Sequence, residues 1–115
     1  MADVPTCTWV GGSGTNYTYF IYALPASLVP NQLGNYIFAK KNPQGQWTPI
    51  YIGQGDLDER ANNHHQAACL RQKGATHFHC HKNGFEQARL AEERDLLARY
   101  TQAYAPTGCN ERHGG

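Results

Sequence analysis

The chain has 115 residues, enough for one domain with a modest core and too few for two. Ten basic residues face nine acidic ones, with six histidines in reserve, so any nucleic-acid contact has to come from a local patch and not from a basic coating. No run approaches the length of a membrane span, and "MADVPTCTWV" has neither the basic start nor the apolar core of a signal peptide. The expectation is a soluble, intracellular, cytoplasmic protein. Cys7, Cys69, Cys80 and Cys109 lie far apart without a CxxC pair, which argues against a disulfide-stapled secreted domain and against a zinc ribbon. Cys69 and Cys80 read as reduced packing residues.

Residues 1–16, with "WVGGSGTN", are glycine-rich and read as irregular. "YTYFIYAL" (Tyr17 to Leu24) is aromatic and β-branched, a strand; "PASLVPNQLG" breaks it. "NYIFAK" (Asn35 to Lys40) and "PIYIG" (Pro49 to Gly53) flank a turn-forming "KNPQGQWT" and predict a hairpin. Asp56 with Glu59 makes a capping box, and Gly74 suits a left-handed stop, so one helix is predicted from Leu57 to Lys73. "ATHFHCH" alternates as a third core strand. Asn83 with Glu86 repeats the capping signal, and a second helix is predicted to run until Pro106. The whole chain, 1–115, is expected to form a single α+β domain. Its small, mostly antiparallel sheet has three core strands and an extra N-terminal one, flanked by helices.

The second helix carries a stripe of Leu90, Leu96, Leu97, Tyr100 and Tyr104, with Glu93 inside it and Arg89 and Glu92 towards its solvent edge. A carboxylate among leucines requires compensation by a metal ion or an arginine, unless it merely borders the stripe. Arg60, His64 and Arg71 share one sector of the first helix, a basic row that either borders a cleft or is a solvated face. Tyr36 and Tyr51 lie in the two hairpin strands as near cross-strand neighbours.

In this order the residues resemble the GIY-YIG nuclease family. The resemblance covers the core region 34–110, with 1–33 as an N-terminal extension. "GNY" (Gly34 to Tyr36) matches the first signature with asparagine in place of isoleucine, and "YIG" (Tyr51 to Gly53) matches the second. Arg60 matches the arginine of the following helix, and His64 a position held by histidine or tyrosine. Glu93, in "ERDLLARY", matches the catalytic glutamate, and Asn110, in "APTGCN", the closing asparagine. The interval from Gly53 to Arg60 is shorter than the family's, and that from Glu93 to Asn110 longer.

The resemblance implies a metal-dependent DNA endonuclease. Glu93 (with its neighbour Glu92 as the other candidate ligand) would hold Mg²⁺ or Mn²⁺, hard ions that prefer oxygen. Arg60 would grip the scissile phosphate with a planar, permanent charge. Tyr36 is the expected general base, with Tyr51 orienting water or phosphate and His64 assisting proton transfer. Gly53, ending its strand without a side chain, would let DNA approach, and Arg71 would contact substrate. A non-catalytic nucleic-acid-binding module is the alternative.

His77, His79 and His81 share one strand face, a pattern compatible with Zn²⁺ or Cu²⁺. They are expected to face solvent or the cleft, with Phe78 and Cys80 in the core. A histidine-rich metal-binding protein is thus a third class. The DNA form bound, whether single-stranded, duplex or branched, is open at this level, as is a protein partner or a homodimer.

Overall fold

Alternating side chains dominate the chain up to Lys82, and they build a sheet with cover on both faces. The structure, a computed structural model, describes residues 4–112. It is an α+β fold with strands β1 (Thr6–Val10), β2 (Asn16–Ala23), β3 (Leu33–Lys41), β4 (Trp47–Asp56) and β5 (His77–Lys82). The helices are α1 (Leu57–Asn62), α2 (Ala67–Lys73) and α3 (Glu86–Arg99), followed by a 3₁₀ turn at Thr101–Ala103. The strand order is β1-β2-β5-β3-β4 and every pairing is antiparallel. Among the described residues, no helix is long and apolar enough to cross a membrane.

The predicted hairpin is present as β3–β4, and the Asn42 side chain organises its turn by accepting from the Gln44 and Gln46 amides. β3 lies between β4 and β5, which makes it a central strand. Its consecutive residues therefore enter two different cores. On one face Tyr36 and Phe38 join Phe78 and Cys80 beneath Leu57 of α1 and Leu70 of α2. On the other, Ile37 and Ile52 join Trp9 and Tyr19 beneath Leu96 of α3.

Several expectations need correction. The N-terminal segment is not irregular throughout: Thr6–Val10 pairs with β2, and Trp9 is buried. The predicted Leu57–Lys73 helix breaks between Asn62 and Ala67. Asp56 accepts from the Glu59 amide as expected, and Gly74 adopts φ 80°, but the Asn63 amide closes the first helix on Glu59 O. Asn and His are weak helix formers, and "NNHH" supplies four in a row. The second helix stops at Arg99 and begins after Phe85; Asn83 accepts from the Phe85 amide without capping the helix itself. The strand at Tyr51 does not end at Gly53 but continues to Asp56.

The largest correction concerns which residues face inward. On α3, Arg89, Glu92 and Leu96 are buried, whereas Glu93 is half-buried. Glu92 accepts from the Tyr19 hydroxyl and meets His81 Nε2 at 2.6 Å. Arg89 donates from Nε to Gln54 at 2.9 Å, and its carbonyl receives the Asn35 amide at 2.9 Å. Each buried polar group has found a long-range partner, so burial is tolerated. Asn35, the residue standing where the signature has isoleucine, belongs to this network. His79 is fully buried between Trp9 and Trp47, because the face expected to meet solvent is covered by the α3-side core. Cys69 is not a reduced thiol: it is bonded to Cys109, 6.0 Å away between Cα atoms across 40 residues of sequence. Cys7 and Cys80 are the free cysteines.

Candidate active site

Tyr36 sits mid-sheet, and burial alone dictates much of its chemistry. It is 1% exposed, its ring stacked at 6.0 Å on Tyr51 and at 5.3 Å on Phe78. The register pairs Tyr36 with Gly53 and Phe38 with Tyr51, so the two tyrosines are diagonal neighbours, as the hairpin predicts. A Cβ on Gly53 would lie 2.5 Å from Tyr36 Oη and 2.8 Å from Tyr51 Cε1. Gly53 thus clears space for the phenols. That is a different use of the missing side chain from close approach by DNA.

The helix break puts His64 against these tyrosines. Its Nε2 is 2.7 Å from Tyr36 Oη, and its Nδ1 accepts the Gln66 amide at 2.9 Å. Burial, reinforced by His65 and Arg60, lowers the His64 pKa to about 4. The ring is therefore neutral, its Nδ1 lone pair is occupied, and its single proton lies on Nε2. It follows that His64 donates to Tyr36. The Tyr36 pKa is raised, first by burial, while the Arg60 charge opposes the rise. The neighbouring Tyr51 phenol, its ring stacked on that of Tyr36, adds to the rise. Together these form a contiguous chain of rings from His64 through Tyr36 to Tyr51.

Tyr51 opens that chain to solvent. With Glu93 of α3, His65, Asn110 and Glu111 it lines a cleft of about 220 Å³. Burial raises the Tyr51 pKa, Glu93 raises it further, and Arg60 lowers it. Arg60 packs on Gly55, whose φ of 148° suits glycine: a Cβ there would lie 2.6 Å from Arg60 Nε. One cation and one carboxylate thus act on the same pair of phenols from two separate helices.

Asn110 plays a positioning part. Its Oδ1 accepts the Ile52 amide at 2.8 Å and its Nδ2 donates to the Ile52 carbonyl at 2.9 Å. Cys109 adds an amide bond to Ile50 O. A side chain thereby completes the β4 edge next to Tyr51. The Cys69–Cys109 disulfide ties the same segment to α2. Arg71 stands apart from the cleft, exposed beside a separate pocket that it shares with His64.

The three histidines of β5 do not converge. His79 Nδ1 accepts from Trp9 at 3.0 Å, and His81 is engaged by Glu92. Among the described residues, no group of three or more His, Cys, Asp or Glu is placed to hold a metal ion. Sequence reasoning overlooked His65, Arg94 and Glu111 as cleft residues. His65 stacks on His64 at 4.4 Å and meets Tyr51 edge-on at 5.9 Å. Next to His64 on an unbroken helix it would have pointed about 100° away; the break returns it to the site.

Neither family models, nor curated proteins, nor solved structures gave a match to this chain.

Proposed function

We propose that this protein is a divalent-metal-dependent DNA endonuclease of the GIY-YIG type, hydrolysing phosphodiester bonds. The observation that carries the reading is the convergence on two stacked tyrosines: Glu93 beside Tyr51 in one cleft, with the Arg60 charge acting on both phenols. Arg60 meets the scissile phosphate and offsets the charge that grows on its oxygens. Tyr51 is the phenol that reaches the cleft; as the phenolate, after releasing its own proton to cleft water, it takes the proton of the attacking water and returns to the phenol. Tyr36, the base expected from sequence, stands behind it with its ring stacked on Tyr51, and His64 holds the Tyr36 hydroxyl in turn. Gly53 keeps the phenols in register, and Asn110 holds the strand that carries them.

Glu93, with Glu111 on the same cleft, presents the hard oxygens that suit Mg²⁺ or Mn²⁺. When bound, such an ion stabilises phosphate charge and makes water more acidic. That assistance matches the need here, since both tyrosines are poor bases at neutral pH.

The test is incubation of purified protein with labelled single-stranded, duplex and branched oligonucleotides, with and without Mg²⁺. Mg²⁺-dependent cleavage that Glu93→Gln abolishes, with an unchanged circular dichroism spectrum, is the expected outcome. Undiminished cleavage by that variant contradicts the reading. Retention of DNA without any nicking supports the binding-module alternative instead.

A further inference from the structure

A second cavity, of about 460 Å³, opens on the far side of His64, between α1, α2 and the β2–β3 connection. Its walls include Leu24, Phe38 and Leu70, with Phe38 and Leu70 almost wholly buried beneath it. His64 lines this space while its Nε2 meets Tyr36. Arg71 is exposed, and among the described residues no carboxylate lines the pocket. Lys40 follows Phe38 on the same face of β3, and its Nζ bonds the Lys73 carbonyl at the end of α2 at 2.8 Å.

An apolar floor with an exposed arginine fits a flat, uncharged heterocycle joined to a phosphate. The volume lies within the range of small-molecule sites. A base lying in such a pocket must be unstacked, as in a single strand or at an extruded nucleotide. We propose that this cavity receives one unpaired nucleobase of the substrate strand, with Arg71 on its flanking phosphate. The proposal rests on the nuclease reading and specifies its substrate: a strand with an unpaired base close to the scissile phosphate. It also gives His64 a second role, since the same ring would touch the bound base and hold Tyr36.

The experiment titrates dAMP, and separately deoxyribose 5-phosphate, into the full chain without divalent ions. The methyl resonances of Leu24 and Ala75 report on the pocket. The expected result is a saturable shift with dAMP and none with the base-free sugar phosphate. Arg71→Ala should weaken dAMP binding by about tenfold, and Ala75→Leu, which fills the pocket, should remove it. If Ala75→Leu does not fold, Arg71→Ala decides alone. No shift with dAMP, or equal shifts with both probes, overturns the pocket. Oligonucleotide cleavage by the same preparation once Mg²⁺ is added keeps the two claims apart. Cleavage without a dAMP shift rejects the pocket and leaves the nuclease standing. A dAMP shift without cleavage of any oligonucleotide rejects the nuclease and leaves a nucleotide site.

Discussion

His64 and His79 are both buried, and burial lowers the pKa of each to about 4, yet only one leads to an open cleft. His64 has a partner at each nitrogen, and one of them, Tyr36, stacks on the Tyr51 that lines an open cleft. His79 has Trp9 on one nitrogen and nothing on the other, sealed among tryptophans. The same contrast separates Glu92 from Glu93. Glu92 is closed into a network with Tyr19 and His81, whereas Glu93 lines the cleft. A perturbed or buried ionisable group thus marks burial first. Its connection to accessible space is what distinguishes a site.

The sharpest way to break this comparison is at the phenols. Tyr51→Phe removes the hydroxyl that reaches the cleft and should slow cleavage by about 10²–10⁴-fold, the usual range for a general base. Tyr36→Phe should cost less, because Tyr36 stands behind Tyr51. Single-turnover rates would measure both, and equal losses would place Tyr36 in direct contact with water.

Acid should reveal the shared property of the two histidines. Their folded pKa values lie below the unfolded 6.5, so neutral imidazole contributes stability that is complete above pH 6.5 and lost as pH falls towards about 4. The loss should be on the order of 3 kcal/mol at each site, at about 1.4 kcal/mol per pKa unit. Urea titrations across that range would measure it. His79→Gln and His64→Gln should each flatten the pH dependence, though only the second should affect cleavage.

Smaller effects sharpen the positioning roles. Gly53→Ala puts a methyl against both phenols and should destabilise by about 1–3 kcal/mol while slowing cleavage. Asn110→Ala strips the β4 edge of two buried hydrogen bonds and should cost about 1–3 kcal/mol. Its rate at saturating Mg²⁺ should fall less than that of Tyr51→Phe.

Much of the frame is legible in sequence because it is local. The alternation of β2, β3 and β5, the Asn-Pro-Gly turn, the Asp56 cap and the Gly74 stop depend on neighbours in the chain. What the sequence hides is set by distant partners. Glu92 and Arg89 go inward because Tyr19, His81 and Gln54 meet them there, and Tyr19 lies 73 residues from Glu92. A one-sided reading of β5 also fails because helices cover both faces of the sheet, which leaves His79 no route to solvent. The tyrosines, Arg60 and Glu93 are legible as a motif, but the order of the phenols is not. It follows from a helix break that brings both His64 and His65 to Tyr51.

Neighbouring carboxylates on one helix offer the most direct measurement: Mg²⁺-dependent cleavage and melting temperature of Glu93→Gln beside Glu92→Ala. The account predicts that the first variant loses cleavage and keeps its melting temperature. The second should melt lower, by the equivalent of about 1–3 kcal/mol, and still cut when folded. Cleavage that survives in Glu93→Gln and disappears from folded Glu92→Ala would contradict it.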